Sequence, residues 1–66
     1  MGAWLTRVEN ELHELQDRIN KLQSFLSSDR IQEITIAQKC LMSEQLYVMK
    51  QYENILKLRI MEGDNK

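Results

Sequence analysis

The chain has 66 residues, no proline, one cysteine and a net charge of −1 from nine basic and ten acidic side chains. So short a chain makes one small domain that buries little surface by itself; Cys40 has no partner for an internal disulfide, and no Cys/His cluster offers a structural metal, which leaves oligomerisation as the available staple. The charge is also evenly spread, −2 over the first half (four basic, six acidic) and +1 over the second (five basic, four acidic), which excludes the basic footprint of a duplex DNA or RNA binder.

In the first segment Leu5, Val8, Leu12, Leu15, Ile19, Leu22 and Leu26 recur at alternating steps of 3 and 4, the signature of a helix that buries one narrow seam. Glu9, Asn10, Glu14, Asp17, Asn20 and Lys21 make its outer face. Thr6 and Glu9 have the spacing of a capping box, with Ala3 and Trp4 free to extend the helix by a turn. The run Ser27-Ser28-Asp29-Arg30 ends the periodicity, since short polar side chains compete for helical backbone hydrogen bonds. Ile31 and Ile34 are spaced to tuck into the end of a helix pair, and Thr35 with Gln38 offers a second capping box.

From there a helix can run to Glu62, with Gly63 as its expected stop. These elements predict one all-α domain over 1–66: an antiparallel two-helix hairpin with a helix at about 4–27, a corner at 28–34, a helix at about 35–62 and a short tail at 63–66. At 100° per residue, the first helix gathers its apolar residues into an arc of about 100°, whereas the second spreads Cys40, Leu41, Met42, Tyr47, Val48, Met49, Ile55, Leu56, Leu58 and Ile60 over about 220°. One partner helix covers about half of that arc. The stripe Leu41, Gln45, Val48, Tyr52, Ile55, Arg59 is expected to face the first helix or a pocket, and the flanking wings to meet other subunits of a helical homo-oligomer.

No residue set supports catalysis, and none supports a cofactor or a metal. His13 stands alone beside Glu14 on the exposed side of the first helix, with no serine or cysteine nucleophile at helical reach. Cys40, at the edge of the apolar arc, reads as a buried small hydrophobe, and the four methionines read as core filler. Glu9, Glu11, Glu14 and Asp17, interleaved with Arg7, Arg18 and Lys21, read as a solvated charged face. Tyr52 and Arg59 lie seven residues apart on an otherwise apolar side, where an unpaired charge is costly. Two readings fit them: an inter-subunit salt bridge, for example from Arg59 to Glu44 or Glu11 of a neighbour, or a pocket at a subunit junction where rings stack a planar ligand and cations hold its phosphates.

The strings RVENELHEL (Arg7 to Leu15), INKLQSFL (Ile19 to Leu26) and EQLYVMKQYENILKLRI (Glu44 to Ile60) run in the order of a known group of small phage proteins. Most of the chain resembles the family that includes the phage anti-CBASS cyclic-nucleotide sponge, and the last string is the most specific part of the likeness. The resemblance implies a helical hairpin that assembles into a compact oligomer, a hexamer in the sponge, and that sequesters a cyclic di- or trinucleotide signal without catalysis. It also implies a stacking tyrosine on the first helix and a phosphate-binding lysine just past its end, but Leu12 and Ser27 stand at those positions here. The second-helix signature, with Met49, Tyr52 and Arg59, does match.

Two functional readings follow. In the first, the chain is an anti-defence protein of the host bacterial cytoplasm that binds a cyclic nucleotide tightly and releases it unaltered. Arg7, Lys21, Lys50 and Arg59 are then its phosphate contacts and Tyr52 its stacking ring. In the second, it is a helical oligomeric protein-interaction module with no nucleotide ligand, as an over-wide apolar helix face suggests. The lack of a signal peptide, a lipidation motif or an apolar run of ~18 residues favours a soluble, intracellular chain without a membrane partner.

Overall fold

A computed structural model describes residues 2–64, and it is all-helical over that range. Helix α1 spans Ala3–Leu26, a single 3-10 turn spans Asp29–Glu33, and helix α2 spans Ile36–Asp64. The two long helices pack against each other as a hairpin, in a rod of 48 × 15 × 13 Å. Asn65 and Lys66 of the expected tail lie outside the described residues.

The strict spacing of α1 produces the seam it predicts. Val8, Leu15 and Ile19 are buried, and Leu5, Leu12, Leu22 and Leu26 are half-buried along the same line. Across from them α2 contributes Leu56, which is fully buried, with Leu46, Met49 and Ile60 packed against the cluster. The charged face of α1 is solvated as expected. Glu9, Glu11, Glu14 and Asp17 are all exposed, and Asp17 pairs with Lys21 at 3.0 Å one turn on.

The face α2 turns inward differs from the expected one. Met42, Leu46, Met49, Glu53, Leu56, Ile60 and Gly63 line α1, again at steps of 3 and 4, while Leu41, Gln45, Val48, Tyr52, Ile55 and Arg59 are exposed. The reason lies in the polar members of each stripe. The apolar seam of α1 has no partner to give Gln45, Tyr52 and Arg59, so burying that stripe would orphan three polar groups. The other stripe has one polar member on its line, Glu53, and α1 satisfies it: Gln16 Nε2 donates to Glu53 Oε2 at 3.1 Å, beside a Lys57–Glu53 contact of 3.7 Å.

The ends of the helices also depart in detail. Helix α1 begins at Ala3 after Gly2, with no side-chain cap, and the Thr6 N–H already donates to the Gly2 carbonyl at 2.8 Å. Thr6 and Glu9 therefore lie inside the helix and form no capping box. Gly63 is likewise inside α2, not beyond it, and has no positive φ. It accommodates Trp4: a Cβ at position 63 would lie 2.6 Å from the indole Cη2. The glycine is needed for close approach, not for a left-handed stop. Trp4 and Leu5, in the first turn of α1, both lie close to Gly63 at this end.

At the corner, the Ser28 N–H and Oγ–H both donate to the Phe25 carbonyl, at 3.1 and 2.8 Å, which closes α1. Ile31 and Ile34 then tuck half-buried under the turn. Thr35 caps α2 as its sequence signals, with Oγ1 accepting the Gln38 N–H at 3.1 Å. Cys40 is exposed, contrary to the expectation of a buried hydrophobe, because its edge of α2 points away from α1. Met42 and Met49 fill the seam but Met61 is exposed, so core filling describes only part of the methionine set; Met1 lies outside the described residues.

Candidate functional site

Two ends of the rod carry polar side chains over open hollows. At the corner end, Asn20, Lys21, Ser24, Phe25, Ser28 and Arg30 line a hollow of about 400 Å³. Positions 21, 24, 25 and 28 share one side of a helix by their spacing, and the 3-10 turn brings Arg30 back over them. The Arg30 guanidinium carbon sits 5.5 Å from the Phe25 ring centroid, within the range of a cation–π contact. Hydroxyl and amide groups complete the lining. This set can offer cations and an aromatic face to a planar anionic ligand.

Opposing charges limit that offer. The corner is the carboxyl end of α1, whose outward carbonyls disfavour an anion. Asp17 also holds the Lys21 ammonium. Binding a phosphate here would require Lys21 to exchange Asp17 for the ligand, which is cheap because both side chains are mostly exposed.

At the open end, Arg59 lines a smaller hollow of about 250 Å³ with Trp4, Glu62 and Gly63. Tyr52 is exposed on the same stripe, two turns back along α2. Arg7 is exposed on α1, and Lys50 is exposed on the side of α2 opposite Arg59, nine residues and half a rotation away. Leu12 is half-buried against the core and borders a third hollow with Glu9, Asn10, His13 and Ile60. Ser27 is exposed at the C-cap of α1, next to the corner hollow but not in its lining.

One hairpin therefore does not gather the expected ligand residues. Lys21 lies near the corner, whereas Arg59 lies 23 residues into α2, about 35 Å along it. Sequence reasoning missed Phe25 and Arg30, and with them Asn20, Ser24 and Ser28. Two signals were present: an aromatic residue beside the seam rather than on it, and an arginine in the polar run that follows. It also missed Trp4 and Gly63 as a packed pair. Among the described residues, no group of three or more His, Cys, Asp or Glu could hold a metal ion, and no helix is long and apolar enough to cross a membrane.

Neither the curated proteins nor the solved structures give a match to this chain. A protein-family model does, over residues 2–62, and that family is Sequestin. The name denotes sequestering, which is the holding of a ligand rather than its conversion. With all of α1 and all but the last residues of α2 inside the match, the chain belongs to the Sequestin family.

Proposed function

We propose that this chain is a phage-encoded anti-defence protein that sequesters a cyclic nucleotide second messenger of CBASS type and returns it chemically unchanged. The observation that carries the reading is the Sequestin match over residues 2–62. The corner hollow supports it with a compatible chemistry, since a cyclic nucleotide presents planar bases and phosphodiesters to Phe25, Arg30 and Lys21. Its mechanism is mass action. Holding the signal below the threshold of a host effector demands affinity and abundance but no turnover, and the site of action is the host bacterial cytoplasm.

The assembly is a homo-oligomer, a hexamer if it follows the sponge. Such an assembly supplies what a single hairpin lacks, because Arg7, Lys50, Tyr52 and Arg59 can meet one ligand only where different subunits come together. Leu12 and Ser27 contribute position rather than chemistry. Calorimetric titration of the folded oligomer with a panel of cyclic di- and trinucleotides tests the proposal. Tight binding of at least one, with the nucleotide recovered intact after denaturing the protein, is the expected result; silence across the panel would overturn it. Arg30→Ala and Lys21→Ala are expected each to weaken binding about tenfold or more, as loss of a charge-assisted phosphate contact does.

A second reading, a protein-interaction module without a nucleotide ligand, draws on the large exposed apolar residues of α2: Ile36, Leu41, Tyr47, Val48, Leu58 and Met61. It would gain if Arg59→Ala disrupted assembly while no nucleotide bound the wild-type chain.

A further inference from the structure

The exposed stripe of α2 has an order that its hydrophobicity alone does not require. Leu41, Gln45, Val48, Tyr52, Ile55 and Arg59 follow at steps of 4, 3, 4, 3 and 4, a pattern that reads the same from either end. Leu41, Val48 and Ile55 are more than half exposed, and Tyr52 is 40% exposed. At 100° per residue the stripe is centred roughly 100° around α2 from the face that meets α1, so α1 does not cover it. It has heptad spacing over about two and a half repeats, with Leu41, Val48 and Ile55 alternating with Gln45, Tyr52 and Arg59, and it is free of its own hairpin.

We propose that this stripe pairs with the same stripe of a second copy, antiparallel about a two-fold axis that passes between Val48 and Tyr52. The register is chosen by charge, as the one that brings Arg59 of each copy to Glu44 of the other. Leu41 lies opposite Arg59, Gln45 opposite Ile55 and Val48 opposite Tyr52, each layer occurring twice, as a two-fold interface requires. The flanks agree with this placement. Gln51 of one copy meets Gln51 of the other near the axis, amide to amide, and Glu44 of one copy comes within side-chain reach of Arg59 of the other at both ends. Arg59 thus finds its opposite charge in the second copy; among the described residues of its own chain the ion pairs are Asp17–Lys21 and Glu53–Lys57. Of the residues that kept this stripe out of the hairpin, Arg59 gains a partner here and sets the orientation, while Gln45 and Tyr52 turn their amide and hydroxyl out to solvent along the edge of the two-helix contact.

The inference rests on the oligomer in the proposed function but specifies its contact, and it can fail independently of ligand binding. The test replaces the exposed native thiol by Cys40→Ser and introduces Gln45→Cys together with Ile55→Cys. These two positions are about 15 Å apart within one helix, too far for an internal bond, but opposite each other in the pair. Oxidation is expected to give a covalent dimer, whereas Leu41→Cys with Ile55→Cys, a register shifted by one turn, is expected to give little. Equal cross-linking of both variants, or preference for the shifted one, would overturn the proposal. A charge exchange provides the second arm: Arg59→Glu or Glu44→Arg alone weakens self-association about tenfold or more, and the two together restore it. Failure of the double variant to recover would count against the pairing. Nucleotide titration of the wild-type chain and of the reduced Cys40→Ser, Gln45→Cys, Ile55→Cys variant, whose positions lie outside the proposed ligand contacts, keeps the two questions separate: nucleotide binding with neither the cross-link nor the charge recovery removes the pairing and leaves the sequestering function standing.

Discussion

The two helices of this hairpin are of similar length and meet over the same contact, but they are built on different plans. Helix α1 has one apolar stripe, and the hairpin uses all of it. Helix α2 has a stripe that α1 covers and a second that no described residue covers, with Ile36, Tyr47, Leu58 and Met61 exposed further around. The difference shows where a 66-residue chain keeps its missing stability. Among the described residues Val8, Leu15, Ile19 and Leu56 make a thin core, and the outer faces of α2 hold the apolar surface left for a second copy in the proposed oligomer.

Substitutions that treat the two stripes of α2 differently would break or sharpen this contrast. Leu56→Ala has the largest expected effect, because it empties the centre of the core; a loss of about 2–5 kcal/mol by denaturant unfolding is expected at any protein concentration. Its neighbour Ile55→Ala is expected to leave unfolding almost unchanged in dilute protein and to lower the midpoint only where copies associate. Equal losses at both positions, independent of concentration, would erase the distinction between an inner and an outer stripe.

Smaller effects test what fixes the hairpin itself. Thr35→Ala removes the cap of α2 and is expected to cost about 1 kcal/mol in thermal or denaturant unfolding. Gln16→Ala leaves half-buried Glu53 with only the longer Lys57 contact and is expected to cost a similar or slightly smaller amount, about 0.5–1.5 kcal/mol. Gly63→Ala has the smallest effect on stability, since the gain in helix propensity offsets displacement of a partly exposed indole. Its readout is optical. Trp4 is the only tryptophan, so its emission is expected to shift to the red as the added methyl group pushes the ring outward.

Much of this architecture is legible in the sequence, and where it is not, the cause can be identified. The α1 seam reads directly because its apolar residues keep to one line with polar residues on the other sides. The inner face of α2 does not, because apolar residues occur almost all the way round and periodicity selects no side. What separates the stripes is the supply of polar partners: Gln16 beside the α1 seam answers Glu53, and no described residue there answers Arg59. Gly63 misleads because the same residue type serves both a helix stop and a close approach, and only the position of Trp4 decides between them. The corner hollow depends on a 3-10 turn that folds Arg30 over Phe25, a contact that no helical spacing rule predicts.

For the ligand, the sequence supplied a family and a list of cations, and the fold divided that list. Lys21 joins the corner hollow, while Arg59 falls at the far end beside Trp4. Tyr52 and Arg59 both lie on the exposed stripe of α2, the stripe that the proposed pairing uses.

Native mass spectrometry of the protein purified from cells that are producing cyclic nucleotide signals examines assembly and sequestration together. An even-numbered assembly, built from two-fold α2 pairs, that releases an unaltered cyclic nucleotide on denaturation is the expected result. A ligand-free monomer at micromolar concentration would contradict both.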